Sequence, residues 1–162
     1  RALGWLNGSG AAAINISLAG PPNLLLARAV AATDRRGVLM VAAVGNDGAA
    51  APPAFPASYP QVIAVTGVDR RGRALIEAGR ASHLDFAAPG ADLLAAKAAG
   101  GVGKVRGTSF AAPFVAGRLA RLAAGGTPSR ARAVALLSGE TAKGGAARLY
   151  GRGIICAPCA TR

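Results

Sequence analysis

The sequence has few aromatic residues, few acidic residues, one histidine and two cysteines. Phe, Trp and Tyr make up 4% of its 162 residues, while 19 Lys and Arg against 7 Asp and Glu give a formal net charge of +12. Such a charge favours acidic partners, above all nucleic acids. However, the basic residues occur singly or in pairs such as Arg35-Arg36, and few aromatic side chains are present on which bases could stack. We therefore expect no nucleic-acid partner, and nucleic-acid binding is the weakest of three hypotheses for the function.

The scarcity of cysteine and histidine argues against the common metal sites. A structural zinc ion needs about four ligands, whereas this chain offers Cys156, Cys159 and the distant His83. The pair Cys156-Ala-Pro-Cys159 lies in a tail without room for the helix that follows a thioredoxin-like motif. We predict no metal site, and we expect the two cysteines to form a local disulfide or to remain two free thiols.

Long apolar runs are also missing. The longest candidates, residues 11–19 and 37–45, have the length of strands, whereas a membrane-spanning helix needs about 20 residues. We therefore expect no membrane span. With 52% hydrophobic residues, the chain can form the core of one domain or of part of one. It begins at Arg1 instead of Met and without a signal peptide, and we expect further residues upstream in the parent protein.

Apolar segments alternate with a helical pattern in the first half of the chain. Residues 13–18 and 38–43 have the pattern of buried strands, and residues 23–36 between them have helical spacing closed by Gly37. A strand, a helix and a second strand in this order imply a parallel sheet covered on both faces. Further strands are predicted at 62–68, 84–88 and 92–96, and a long functional loop at 45–60.

Two helices are predicted in the second half. Residues 100–107 are rich in glycine and lead into an Ala- and Val-rich helix over 108–123. Thr127 and Pro128 are typical of a helix start, as N-cap and first residue, and Gly139 ends that helix. The whole pattern predicts an α/β protein.

Two polar residues lie where such a fold places its chemistry. Ser109 begins the Ala-rich helix, where unpaired backbone N–H groups and the helix dipole stabilise negative charge. Asn46 follows the carboxyl end of a buried strand, the side on which parallel sheets bind ligands. Each has a simpler interpretation, because Ser109 or Thr108 could be a helix N-cap and Asn46 a turn residue in a left-handed conformation.

Several motifs, in one order along the chain, resemble those of the subtilisin-like serine protease family, also called subtilases or peptidase S8. Residues 107–113 (Gly-Thr-Ser-Phe-Ala-Ala-Pro) resemble its serine motif, and residues 43–48 (Ala-Val-Gly-Asn-Asp-Gly) resemble its oxyanion-hole loop. Residues 14–20 are similar to the strand that forms one wall of its substrate cleft. This resemblance implies a three-layer subtilisin-like fold with a parallel central sheet, incomplete at its N-terminal side. Residues 1–162 would be the C-terminal part of one catalytic domain, with a tail from about residue 140.

The resemblance also implies a role for each matching residue. Ser109 would be the nucleophile that attacks the peptide carbonyl, and Asn46 would bind the resulting oxyanion together with the Ser109 backbone N–H. A polypeptide substrate would lie extended between two segments and add a strand by main-chain hydrogen bonds. The implied substrate-binding residues are Ser17, Leu18, Ala19, Ala42, Ala43, Val44 and Gly45. The family further implies a secreted or cell-envelope protein and permits calcium, for which no site can be assigned.

The catalytic His and Asp of the family are missing from this sequence. In the family both precede the region that this chain matches, so we expect them in an N-terminal part of the same protein, which would be a partner of this chain. His83 stands in an unrelated context, Ser-His-Leu-Asp, and is not expected to act as the base. Without a base the isolated chain is predicted to be inactive. The alternative is a non-catalytic relative that binds peptides without hydrolysing them.

Overall fold

A computed structural model describes residues 1–142 and 144–155, and its centre is a four-stranded parallel sheet. The strands are β1 (Ala13–Ile16), β2 (Leu39–Ala43), β3 (Val62–Val68) and β4 (Phe86–Pro89), in the spatial order β1-β2-β3-β4. In β2, Met40 lies opposite Ile14 of β1 and Val62 of β3. Among the described strands, β1 has a neighbour on one side only. The predicted parallel sheet is confirmed.

Helices cover both faces of the sheet. The first face packs against α2 (Leu24–Arg35), and the second against α3 (Thr108–Leu122) and α4 (Arg130–Ser138). Because side chains alternate along a strand, neighbouring residues of β2 belong to different clusters: Met40 packs with α2, and Val41 packs with α3. Both faces of β2 and β3 are buried, which explains why their sequences are continuously apolar. The predicted three-layer α/β architecture is therefore confirmed.

The ends of α2 follow the sequence prediction. Asn23 is its N-cap and accepts a hydrogen bond from the backbone N–H of Leu26 at 3.0 Å. Gly37 follows the helix with φ of 75°, a left-handed conformation that glycine adopts without steric cost. Two short helices were not predicted, because four or five residues are too few to show a period: α1 (Ala2–Leu6) and α5 (Ala147–Tyr150).

Two predictions in the second half were wrong. The glycine-rich stretch before α3 contains a strand, β6 (Val102–Val105), which pairs antiparallel with β5 (Leu93–Ala96). Gly100 and Gly101, both with positive φ, form the turn between these strands, so the glycines serve a hairpin. The N-cap of α4 is Ser129 and not Thr127, because the Ser129 hydroxyl accepts a hydrogen bond from the Arg132 N–H at 3.3 Å.

Within the described residues, no helix combines the length and the apolar character that crossing a bilayer requires. The pair Cys156 and Cys159 lies outside the described residues.

Candidate active site

Ser109 is the second residue of α3, and a proline shapes its surroundings. Gly107, with φ of 135°, is the N-cap of the helix, so neither Ser109 nor Thr108 has the capping role considered above. Pro113 lies four residues further along α3 and has no N–H to donate to the Ser109 carbonyl. That carbonyl instead accepts a hydrogen bond from the Ser17 hydroxyl at 2.9 Å. Because Pro113 has no N–H, the Ser109 carbonyl is free to bind Ser17, and this hydrogen bond joins the first turn of α3 to the segment that follows β1.

Asn46 lies directly beside this turn. Its side-chain Oδ1 accepts hydrogen bonds from the backbone N–H of Thr108 at 2.9 Å and from the Thr108 hydroxyl at 3.2 Å. Its backbone does not have a positive φ, whereas Gly45 and Gly48 on either side do, so the left-handed turn conformation belongs to the glycines. The Asn46 carboxamide is thus anchored through its oxygen, next in space to the residue that precedes Ser109.

Two hydrogen-bond donors remain free at this point. Within the described residues, Nδ2 of Asn46 and the backbone N–H of Ser109 donate to no protein group. The Ser109 N–H belongs to the first turn of α3, where N–H groups have no helical acceptor and the helix dipole is positive. The glycine at position 107 lets the Asn46 carboxamide lie close to the start of α3, because a Cβ there would lie only 3.3 Å from Nδ2 of Asn46. The arrangement leaves one side-chain donor on Asn46 and one backbone donor on Ser109 itself available to an anion.

The segment after β1 presents free main chain to solvent. The Ser109 hydroxyl lies 3.5 Å from the carbonyl oxygen of Ser17. Leu18, which is 76% exposed, and Ala19 follow, and within the described residues neither makes a main-chain hydrogen bond. Gly20 then pairs with Phe55 through two backbone hydrogen bonds. Free N–H and C=O groups on an extended segment are the pattern that accepts an added strand.

The segment at the end of β2 is buried, in contrast to the exposed segment that follows β1. Ala42, Ala43 and Val44 are at most 2% exposed, and their side chains belong to the two core clusters. Gly45 is buried too, and a Cβ at this glycine would lie 3.2 Å from Cβ of Ala19. The structure therefore brings the two predicted substrate-binding segments together at Ala19 and Gly45, and Asn46 emerges at the surface just beyond this contact.

The Asn46 loop is held by residues that were not predicted from the sequence. Gly79 donates its backbone N–H to the Gly45 carbonyl at 2.8 Å, and Gly48 donates to the Glu77 carbonyl at 2.9 Å. The Glu77 carboxylate in turn binds the guanidinium of Arg106. A Cβ at Gly79 would overlap the carbonyl oxygen of Val44, so this position requires glycine. No sequence signal links 77–79 to Asn46, because their contact is a long-range one.

His83 is located at the other end of the sheet. Its Nε2 lies 2.9 Å from the carbonyl oxygen of Val62, the first residue of β3, and 3.4 Å from Oδ2 of Asp85. Asn46 and Ser109 lie at the carboxyl ends of the parallel strands. The chain's one histidine therefore does not contact Ser109, in agreement with the expectation that it is not the base.

Asp85, which is buried, and Arg130 complete a partly buried polar cluster around His83. Oδ2 of Asp85 accepts hydrogen bonds from the Ala64 N–H and from the Arg130 guanidinium, both at 2.9 Å. The hydrogen bond to Asp85 raises the pKa of His83, and partial burial opposes this rise. Burial alone would raise the pKa of Asp85, but hydrogen bonds from His83 and Ala64 and the charge of Arg130 outweigh burial and lower it. The cluster ties α4 to the amino end of β3.

A metal centre is not indicated by the part of the chain that the structure describes, since no three His, Cys, Asp or Glu residues there could share an ion.

Comparisons with known proteins identify the family. The sequence profile of the Subtilase family matches residues 1–153. Subtilisin Savinase from Lederbergia lenta is 33% identical over 165 aligned positions, which cover all of this chain and 61% of that protein. Subtilisin-like protease 10 from Arthroderma otae is 36% identical over 79% of this chain and 33% of its own length. The chain therefore spans about three fifths of the length of the bacterial relative.

Solved structures lead to the same family. Patellamide maturation protease PatA superposes with a TM-score of 0.81 at 31% identity, over 96% of this chain and 63% of that chain. Prenylagaramide maturation protease PagA gives a TM-score of 0.79 at 28% identity, over 96% of this chain and 62% of that chain. The family profile covers nearly all of the sequence and the structural likeness nearly all of the fold, and on both grounds this chain belongs to the subtilase family.

Proposed function

We propose that this chain is part of a serine endopeptidase in which Ser109 is the nucleophile and Asn46 an oxyanion donor. One observation supports the proposal: Asn46 is fixed through its Oδ1 to the N–H of Thr108, the residue before Ser109, while among the described residues neither its Nδ2 nor the N–H of Ser109 has a protein acceptor. Acyl transfer needs donors of this kind, since negative charge develops on the carbonyl oxygen as the tetrahedral intermediate forms. Membership of the subtilase family supports the same chemistry.

In the proposed reaction, Oγ of Ser109 attacks the carbonyl carbon of the scissile peptide. The hydroxyl proton must pass to a base, and the base later protonates the leaving amine. His83, the one histidine of the chain, is bound to Val62 and Asp85 at the far end of β3. We therefore propose that the base and its orienting Asp come from an N-terminal part of the same protein and that the 162-residue chain is inactive alone.

The surface beside β1 supports such a partner. β1 has an unpaired edge among the described strands. An apolar groove runs along it between α1 and α2, with Leu3, Ile14, Leu25 and Leu26 in its lining. Leu25 is 74% exposed and Trp5 on α1 is 73% exposed, which is costly in water. Because both faces of a parallel sheet are normally covered and an exposed strand edge readily pairs with a further strand, an added strand of the same domain is the partner that we propose for this edge.

For the substrate we propose an extended polypeptide that pairs with the free main chain of Leu18 and Ala19. Ser17, Leu18 and Ala19 would form one wall of the cleft. Ala42, Ala43, Val44 and Gly45 would contribute mainly main chain to the other wall, since their side chains are buried. Family membership is also our ground for proposing a secreted or cell-envelope protein; calcium is not assigned.

The test is peptide hydrolysis by the parent protein that contains this chain. We expect turnover of an unstructured polypeptide that Ser109→Ala abolishes, whereas Ser129→Ala, a change at the α4 cap, preserves the turnover number. The chain of residues 1–162 alone should show none. The single histidine, remote from Ser109, favours a second candidate, a peptide-binding module. Peptide binding by the parent protein without any Ser109-dependent turnover would establish that candidate and refute the peptidase.

A further inference from the structure

Glu77 connects the two halves of the candidate site. Its carboxylate accepts two hydrogen bonds from Arg106, from Nε to Oε1 at 2.5 Å and from Nη2 to Oε2 at 2.9 Å. Its backbone carbonyl accepts the N–H of Gly48 at 2.9 Å. Gly48 follows Asn46 by two residues, and Arg106 precedes Ser109 by three. One residue thus binds the loop of the proposed oxyanion donor and the approach to the proposed nucleophile.

Backbone hydrogen bonds near Glu77 and near Arg106 fix the two segments that this ion pair joins. Gly79 bonds to the Gly45 carbonyl, so segment 77–79 holds the Asn46 loop on both sides of the asparagine. On the other side, the Gly107 N–H donates to the Gly90 carbonyl at 2.7 Å, which fixes the chain immediately after Arg106. Backbone hydrogen bonds thus hold segment 77–79 against the Asn46 loop and hold the chain next to Arg106 in place. The ion pair between Glu77 and Arg106 connects these two segments, and so connects the Asn46 loop to the start of α3.

The geometry of the ion pair between Glu77 and Arg106 suits it to fix the relative position of the two segments that it joins. Its side chains are 32% and 52% exposed, and exposed ion pairs contribute little to overall stability. Two parallel hydrogen bonds between a guanidinium and a carboxylate, however, fix both distance and orientation. The hydrogen bonds from Arg106 lower the pKa of Glu77, so the carboxylate stays charged across neutral pH.

We propose that Glu77 is a positioning residue: paired with Arg106, it holds Asn46 at the correct distance from Ser109 for oxyanion binding. The inference deepens the proposed function and rests on it for its catalytic consequence. Glu77 acts through Asn46 and does not itself contact the reacting atoms.

Amide hydrogen exchange of the full chain tests the structural half of this proposal without any need for activity. We expect Glu77→Gln to speed exchange at Gly48 and Thr108 about tenfold, because local opening becomes easier. Arg106→Gln removes the same pair from its other side and should give the same increase, and the double variant should add nothing further. Glu140→Gln is the matched control, since Glu140 pairs with Arg118 at 2.7 Å and both side chains are 36% exposed.

Turnover by the parent protein tests the catalytic half. Glu77→Gln should lower kcat about tenfold, a fraction of the loss for removing a whole oxyanion donor, with KM within about twofold and Glu140→Gln unchanged. Exchange at Gly48 and Thr108 that matches the control in both pair variants would overturn the proposal. Faster exchange with unaltered kcat in an active parent would overturn the positioning role. If the parent shows no Ser109-dependent turnover, the proposed function fails, and the exchange data still decide whether the pair holds the loop.

Discussion

At the scale of single residues, the site is made of polar groups that the regular hydrogen bonds of helix and strand leave free. Pro113 frees the Ser109 carbonyl for Ser17, and the helix start frees the Ser109 N–H. Asn46 is anchored through its oxygen, while its nitrogen donates to no protein group among the described residues. Under the proposed function we expect that aspartate cannot replace Asn46, because a carboxylate has no N–H to donate to an oxyanion.

The first prediction concerns this carboxamide. In the parent protein, Asn46→Ala should lower kcat about 100- to 1000-fold, the cost known for removing such a donor from subtilisin, with KM little changed. Initial rates over a range of peptide concentrations separate the two constants. Asp47→Asn, the same loop one residue later, is the control and should retain full kcat. A kcat for Asn46→Ala within a factor of two of the unmodified protein would refute the oxyanion role.

A second residue-scale prediction follows from His83. Its pKa is raised by the hydrogen bond to Asp85, so its charged form is favoured by folding. The resulting stability is fully present below the ordinary histidine pKa of about 6.5 and is lost as pH rises through the folded-state value. The partial exposure of the pair keeps the contribution to about 1 kcal/mol or less.

Urea unfolding of the chain and of His83→Gln at several pH values measures this effect. The stability difference between the two should be largest near pH 5.5 and should shrink as the pH rises from about 6.5 through the folded-state pKa of His83. The carboxylate of Asp85 contributes in the opposite direction: its lowered pKa means that stability is lost only as the solution becomes strongly acidic. A difference that grows with rising pH would contradict the proposed contact between His83 and Asp85.

At the scale of elements, segment 77–79 packs against the residues that follow β2 and thereby holds the Asn46 loop. Segment 77–79 lies so close to the end of β2 that only glycine fits at position 79. We therefore expect Gly79→Ala to destabilise the chain by about 1–3 kcal/mol, the usual cost of forcing an extra methyl group into a packed site. Gly117→Ala is the control: it lies in α3 with nothing within 4 Å of its Cβ position.

Thermal or urea unfolding distinguishes the two alanine variants. Gly117→Ala should stabilise the chain by about 0.5–1 kcal/mol, since glycine in a helix interior costs that amount relative to alanine. Equal stability of Gly79→Ala and the unmodified chain would show that segment 77–79 adapts easily, which would weaken the account of how the Asn46 loop is held.

The elements also show what the sequence could and could not predict. β3 and α2 were predictable because an apolar run and a capped helical period are local signals. β6 was missed since its partner β5 supplies the register, and the start of α4 was misplaced since Thr127, Pro128 and Ser129 all favour a helix start. Ser109 and Asn46 were recognisable by family motif, but the bridge from Glu77 to Arg106 depends on two segments that meet only in the folded chain.

At the scale of the whole molecule, the notable feature is the edge of the sheet at β1, where no further strand is paired among the described residues. β1 exposes its edge among the described strands, and the groove beside it is lined by apolar residues. An isolated chain of this kind should self-associate, because an exposed strand edge with a neighbouring apolar surface pairs with other copies. Sedimentation velocity over a range of concentrations should show dimers or larger species.

A pair of variants locates that surface. Leu25→Lys places a charge in the groove and should shift the chain towards monomer. Leu94→Lys changes an equally exposed leucine, 72% exposed on β5, and should leave self-association as it was. A chain that remains monomeric at all concentrations would argue against a missing neighbour at the edge of β1.

Ser109 and Asn46 are proposed to act on the same oxygen atom, and one crystal structure can show whether they do. The parent protein is allowed to react with a serine-directed phosphonate, whose phosphonyl oxygen occupies the place of the oxyanion. We predict a covalent bond to Oγ of Ser109, with that oxygen about 2.7–3.1 Å from both Nδ2 of Asn46 and the backbone N–H of Ser109. A phosphonate attached to another residue, or an oxygen directed away from Asn46 into solvent, would contradict the account.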